Sequence, residues 1–238
     1  MNAPAANLEK SEATIRSMFA GVAPRYDLLN HLLSGFLDVL WRRRAAGALG
    51  LPPGSEALDV CCGTGDQALA LARRGYRVTA ADFCLPMLSR ARGKYARRPE
   101  AAPMGLAGDA LRLPFADRRF DGVTVSFGLR NVVDLEGALA ELARVLRPAG
   151  VAVILEFALP RSALLRRPYL FYFRRLLPRL GALVSNNGQA YSYLPASVLE
   201  FPQRRGFTDR MLAAGFETAT WRDMAGGTVC LYSGRRAA

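Results

Sequence analysis

The sequence predicts an α/β protein: a doubly wound, mostly parallel seven-stranded sheet, entered by N-terminal helices and carrying a helical insertion before the last two strands. Three observations predict it. Short apolar runs alternate with helical stretches from residue 57 to residue 157, the rhythm of parallel β-α-β units. A glycine-rich turn, Gly63-Thr64-Gly65, stands between the first run and the first helix of that series. Two closing runs are separated only by residues 223–227, too short a connection for a parallel crossover and therefore antiparallel.

Residues 1–50 read as helices. Leu28, Leu29, Leu32 and Leu33 fall on one face, Leu37, Leu40 and Trp41 continue the stripe, and Pro52-Pro53-Gly54 ends it. Residues 57–61 form the first strand. Residues 66–74 form a helix stopped by Gly75. A second strand follows at 77–81 and a helix at 86–95, with Pro86 in its tolerated first turn. Strands at 104–107 and 120–126, a helix at 135–146 and a strand at 151–157 complete the alternation. The last of these is apolar throughout and reads as buried on both faces. Residues 161–184 are basic, aromatic and apolar. A helix at 203–213 and strands at 216–222 and 228–233 close the chain. The expected organisation is one domain over 1–238: a helical cap (1–50), a core of alternating strands and helices (51–160), a helical insertion (161–200) and a closing unit (201–238).

The 238 residues suffice for one such domain. With 51% hydrophobic and 22% charged residues the chain is not disordered in bulk. No apolar run approaches the ~20 residues of a membrane span, and residues 1–10 lack the pattern of a secretory signal. Cys61, Cys62, Cys84 and Cys230 form no C-x-x-C pair, and no histidine lies near them. No metal site is expected, and a reduced, cytoplasmic compartment fits best. Thirty-two basic residues against 20 acidic give a net charge of +12. That balance fits an anionic partner (nucleic acid, an anionic membrane surface or a phosphate-bearing substrate) or a well-solvated surface.

The stretch Asp59-Val-Cys-Cys-Gly63-Thr64-Gly65-Asp66 sits where a strand turns into a helix. Glycines there let a ligand approach the backbone, and the helix start offers unpaired N–H groups. Alone the turn also reads as a plain strand-to-helix connection. Asp82 ends the second strand at the separation at which an acid takes ribose hydroxyls. Asp109 follows the third strand, where an ionised, acceptor-only carboxylate can take an amino group. Single acids at strand ends are usually helix caps, but three polar features at successive strand ends converge on one crevice. The constellation favours an adenosine ligand.

These residues, in the order Leu58-Asp59, Gly63-Thr64-Gly65-Asp66, Asp82-Phe83, Gly108-Asp109-Ala110 and Leu113-Pro114-Phe115, resemble a class I S-adenosylmethionine methyltransferase with its Rossmann-like fold. Tyr26-Asp27-Leu28-Leu29-Asn30 and Phe127-Gly128-Leu129-Arg130-Asn131 are more specific. They resemble the signatures of the ubiquinone/menaquinone biosynthesis C-methyltransferases, and the resemblance runs from Met18 to Tyr232. It implies S-adenosyl-L-methionine as methyl donor and implicates Thr64, Asp82, Asp109, Ala110 and Ser126 in contact with it, beside Asp59, Gly63 and Gly65 of the loop. Cys61 stands where many methyltransferases carry a further glycine, although the resembled family tolerates small residues there; Ala149 stands in place of the usual glycine, and Asn186-Asn187-Gly188 replaces a more acidic stretch.

The implied reaction methylates a ring carbon of a prenylated quinol. Demethylmenaquinol is expected, because Pro24 and residues 28–31 look like menaquinone-pathway members; a 2-methoxy-6-polyprenyl-1,4-benzoquinol is the alternative. The task is mainly to hold carbon, methyl and sulfur in line. His31 is the only histidine and a candidate base, though on its apolar stretch it reads first as packed or capping. Arg130 and Asn131 lie at the mouth of the sheet. Arginine keeps its proton, so Arg130 would stabilise a phenolate or hold a water, or simply pair with an acid. Tyr26 and Asp27 would fold over the pocket, or cap and pack.

Between Glu156 and Glu200 there is no acid, but there are Arg161, Arg166, Arg167, Arg174, Arg175 and Arg179, with aromatics among them. Such a segment suits peripheral contact with an anionic membrane at its inner face, or a lid over the substrate. A nucleic-acid methyltransferase is disfavoured, since neither an Asn/Asp-Pro-Pro-Tyr/Phe stretch nor a Pro-Cys nucleophile is found, so no nucleic-acid partner is expected. A non-catalytic S-adenosylmethionine-binding protein is the third reading. The oligomeric state stays open, a homodimer included.

Overall fold

The computed structural model of the chain describes residues 11–97, 102–176 and 188–238. Helices α1 (Glu12–Val22), α2 (Tyr26–Leu33) and α3 (Leu37–Ala48) come first. The Ser11 hydroxyl accepts the Thr14 amide at 3.2 Å and so starts α1. Gly35 and Phe36, both left-handed at φ 58° and 62°, turn the chain between α2 and α3.

Seven strands then build one sheet: β1 (Glu56–Val60), β2 (Arg77–Asp82), β3 (Met104–Ala107), β4 (Phe120–Ser126), β5 (Leu146–Phe157), β6 (Phe216–Met224) and β7 (Val229–Arg236). Their spatial order is β3-β2-β1-β4-β5-β7-β6. The first five are parallel, and β7 runs antiparallel to both its neighbours. The order reverses between β1 and β4, which opens a crevice at the carboxyl ends of those strands. The remaining helices are α4 (Asp66–Ala72), α5 (Leu85–Tyr95), α6 (Leu135–Val145), α7 (Ala163–Phe171), α8 (Gly188–Glu200) and α9 (Arg205–Ala213).

Strand alternation sorts the core into two layers. Ala57, Val151, Val153 and Leu155 pack with Trp41, Ala45 and Leu71 on one face. Leu58, Ala152 and Ile154 pack with Leu139, Leu142, Phe207 and Met211 on the other. Each fully buried leucine contributes about 1.5–3 kcal/mol, and the rigid platform that results carries the site.

Two expectations are corrected. The helix at 135–146 ends at Val145, and β5 begins at Leu146 rather than Val151. Phe120 pairs with Leu146 and Gly122 with Val151, so Asp121 alone opposes residues 147–150. Pro148 is tolerated there because a bulge needs no ladder donor. Ala149 takes φ 60°, a left-handed conformation that glycine adopts at less cost. Within the basic stretch 161–184, α7 contains Pro168 and passes into a π-helical turn, Tyr172–Leu176. Residues 177–187, with Arg179, Asn186 and Asn187, lie outside the described residues.

Candidate active site

The loop after β1 is built from left-handed residues: Cys61 (φ 54°), Gly63 (φ 54°) and Gly65 (φ 84°). At Gly65 a β-carbon would sit 2.6 Å from Cε1 of Tyr95, so the ring's packing requires glycine there. Cys61 makes the same demand of another residue. A β-carbon on Gly128 would lie 2.5 Å from that of Cys61.

The loop is held by acids. The Gly63 amide donates to Oδ2 of Asp82 at 2.7 Å and the Cys84 amide to its Oδ1 at 2.8 Å. Burial pushes the Asp82 carboxyl up, against these two hydrogen bonds. From the N-terminal helices, Asp27 accepts the Thr64 hydroxyl on Oδ1 at 2.5 Å. Lys94 on α5 stands 2.6 Å from both Asp27 Oδ2 and Asp66 Oδ1. Burial also pushes the Cys61 and Cys62 thiols up, so neither supplies a thiolate.

Two cavities open over the crevice. The first, about 750 Å³ and partly open to solvent, is lined by Gly63, Asp82, Asp109, Ala110 and Ser126, with Phe83, Met87 and Leu111 as an apolar wall. The second, about 1450 Å³, is walled largely by aromatics, among them Trp41, Phe157, Tyr169, Tyr172, Phe173 and Tyr193. Phe19, Tyr26, Phe127 and Asn131 border both. The Ser126 Oγ and Asn131 Oδ1 atoms are buried without a partner, unmet hydrogen-bonding capacity at the first cavity.

Five of the eight residues expected at the cofactor therefore line the first cavity, and three do not. Asp59 is fully buried in β1. Its Oδ1 accepts the Thr124 hydroxyl at 2.9 Å, and burial pushes its carboxyl up to about 7. Thr64 is occupied by Asp27, and Gly65 by the Tyr95 ring; all three shape the loop from beneath. Of the candidate catalytic residues, Tyr26, Arg130 and Asn131 reach the cavities. Arg130 is also ion-paired: its Nη1 lies 3.1 Å from Glu156 Oε2, hydrogen-bonds the Phe127 carbonyl, and its guanidinium stacks on Phe157. Asp27 and His31 line neither cavity; His31 Nδ1 instead contacts Asp38 at 2.9 Å. Sequence reasoning missed the apolar wall at Phe83 and Leu111, the Lys94 bridge, and the aromatic lining of the second cavity. Phe83 beside Asp82 was the available signal, because a strand-end acid and its neighbour reach one crevice together.

The ubiE/COQ5 methyltransferase family model matches residues 7–236 of the chain. The chain belongs to that family. A demethylmenaquinone methyltransferase of Mycolicibacterium paratuberculosis is 45% identical over 231 residues, covering 97% of each chain. A ubiquinone/menaquinone biosynthesis C-methyltransferase of Geobacter sulfurreducens is 45% identical over 232 residues, covering 96% of this chain and 90% of its own. Among solved structures, a possible histamine N-methyltransferase of Thermotoga maritima superposes with a TM-score of 0.64 at 18% identity, over 93% of this chain and 99% of that one. A methyltransferase of Aquifex aeolicus gives 0.61 at 16% identity, over 82% and 88%. The fold is that of the class I S-adenosylmethionine-dependent methyltransferases, and the chain is a methyltransferase. The first cavity suits that donor: acceptor-only acids face hydroxyl and amino groups, two orphaned polar atoms await partners, and an apolar wall can cover a purine.

Proposed function

We propose that this methyltransferase transfers a methyl group from S-adenosylmethionine to a ring carbon of a prenylated quinol, demethylmenaquinol being the substrate. The observation that carries the reading is the meeting of a polar, acid-lined cavity with a larger aromatic one at Tyr26, Phe127 and Asn131. When bound, the donor supplies an electrophilic sulfonium methyl. Asp82 would take its ribose hydroxyls, Asp109 its amino group, and Phe83 and Leu111 would cover the purine. The second cavity would take the ring and the first prenyl units, stacked among aromatic side chains. In this reading the described residues of 51–160 hold the donor, those of 1–50 roof both cavities, those of 161–200 face the quinol, and 201–238 complete the sheet.

The quinol's tail requires access to a membrane. Among the described residues no helix is long and apolar enough to cross one, so contact would be peripheral. Leu28, Leu32, Phe36, Leu37 and Leu40 are exposed on α2 and α3, followed by exposed Arg43 and Arg44. Asp38 is the only acid between residues 28 and 55, and it is buried. Leu164, Leu165 and Phe171 are exposed on α7 beside exposed Arg166 and Arg167. The Tyr172 hydroxyl donates to the Leu33 carbonyl at 3.3 Å and so joins the two faces at the rim of the second cavity. Apolar tips flanked by unpaired arginines suit an anionic lipid surface, and in this reading lipid headgroups are a partner for part of the net charge of +12.

The test is the quinone mass spectrum of cells lacking the gene, joined to assays of the purified enzyme on demethylmenaquinol and on a methoxy-polyprenyl-benzoquinol. Accumulated demethylmenaquinone and methylation of the naphthoquinol are expected. Turnover of the benzoquinol alone would replace the substrate, and turnover of neither would remove the reading.

A further inference from the structure

We infer that Asp38 is the general base of the quinol cavity and that His31 is its positioning residue. The inference rests on the quinol reading above and names a group that reading leaves open. Taking a proton from a ring hydroxyl makes the neighbouring carbon nucleophilic, so the cavity needs a proton acceptor. Among the described residues lining it, Asp38 is the only carboxylate, and no lysine or histidine lines it. Arg130 and Arg42 keep their protons. Burial pushes the Tyr169, Tyr172 and Tyr193 hydroxyls up, so they too keep theirs. The remaining polar groups are the amides of Asn30 and Asn131 and the hydroxyls of Tyr26, Ser34 and Thr228.

The geometry fits a positioned carboxylate. Asp38 is 3% exposed, in a wall made mostly of aliphatic and aromatic side chains with Asn30, Ser34, Arg42, Arg130, Asn131 and Thr228 among them. His31 Nδ1 lies 3.0 Å from Oδ1 and 2.9 Å from Oδ2, and the Ser34 hydroxyl donates to Oδ1 at 2.9 Å. The His31 ring is itself held by stacking on Phe36, with centroids 5.7 Å apart. Arg42 faces the same carboxylate from one turn on, its Nε 4.0 Å from Oδ2 and without a hydrogen-bond partner. A buried carboxylate is kept where partners compensate it, and here His31, Ser34 and Arg42 hold it in the wall of the cavity that would take the quinol.

In the step assigned to Asp38 the quinol O–H bond breaks, the proton bonds to the carboxylate, and the electron pair stays on the ring oxygen and feeds the adjacent carbon. That carbon forms its bond to the methyl group while the sulfur keeps the electron pair of the broken S–C bond. The methylated carbon then loses its hydrogen as a proton to water, and the ring oxygen takes back the proton held by Asp38. The balance per turnover is one methyl gained and one proton released.

The test compares wild type with Asp38→Asn, His31→Asn and His31→Leu on demethylmenaquinol, with donor binding followed by calorimetry. Asp38→Asn is expected to keep its donor Kd and lose turnover about 100-fold or more, the usual range for a lost general base. Its residual rate should climb about tenfold per pH unit, toward the range where a quinol ionises unaided, while wild type stays level. His31→Asn keeps a donor near the place of Nδ1 and should retain most turnover, whereas His31→Leu should lose it. A wild-type rate and pH profile in Asp38→Asn would overturn the inference. Were that variant unable to fold, equal turnover in His31→Leu and His31→Asn would overturn it. Wild type inactive on either quinol would instead sink the functional reading, so the two failures are distinguishable.

Discussion

The Asp27 carboxylate accepts the Thr64 hydroxyl at 2.5 Å across 37 positions of sequence, and so fastens the N-terminal helices to the glycine loop. Lys94 closes the clasp by bridging Asp27 to Asp66. Asp27 lines neither cavity, yet its neighbour Tyr26 borders both. Asp27→Ala is therefore expected to weaken donor binding about tenfold, the cost of losing one to two charge-assisted hydrogen bonds behind the site. Calorimetry should find the loss; an unchanged Kd would reduce the clasp to a surface contact.

Asp82 touches the site itself. Asp82→Ala should weaken donor binding by about 1.5–3 kcal/mol, the range for hydrogen bonds to charged groups. The Gly63 and Cys84 amides also lose their acceptor, so circular dichroism must first establish that the variant folds. A folded variant with wild-type affinity would end the ribose assignment.

Arg130 and Glu156 form a buried pair whose side chains are 8% and 0% exposed. Arg130→Ala leaves the buried carboxylate only the backbone amides of residues 130 and 157, without its cationic partner, at a cost of about 3–5 kcal/mol. Arg130→Gln with Glu156→Gln removes both charges and should recover much of that stability in denaturant melts. If the double variant is stable but inactive, Arg130 acts on the quinol as well as on Glu156. If it is stable and active, the arginine is structural.

Asp59 gives stability a pH dependence of unusual sign. Its carboxyl moves from 3.8 to about 7 on burial, so the folded state binds a proton more tightly than the unfolded one. The contribution is complete below the unfolded value and is lost as pH rises through about 7. Thermal melts of wild type should fall over that window, and Asp59→Asn should flatten the fall. Parallel curves for the two proteins would contradict the assignment to Asp59.

Membrane contact should split into two components in liposome co-sedimentation. Each arginine of the α7 face contributes about 1 kcal/mol near an anionic surface, and this part should fade as salt shortens the screening length. Arg166→Gln with Arg167→Gln should reduce binding at low salt. Leu32→Ser with Phe36→Ser should reduce it at every salt concentration. Full recovery of wild type in the supernatant with anionic lipid would leave α7 as a substrate lid alone.

Local pattern and motif carried the architecture. Alternation of apolar runs and helices specified five parallel strands, because strand and helix periodicities are written in adjacent residues. The short 223–227 connection specified an antiparallel pair, and Asp82 and Asp109 at strand ends pointed to the crevice where the first cavity lies. Tertiary structure decided what depended on distant partners. It placed β7 between β5 and β6, drew Pro148 into a bulge opposite Asp121, and turned Asp59 and Thr64 away from the cavity toward Thr124 and Asp27. It also set His31 against Asp38, in the wall of neither cavity. The physical reason is common to all of these: a side chain's type is local, but which hydrogen bond it finds when buried depends on what the fold brings beside it.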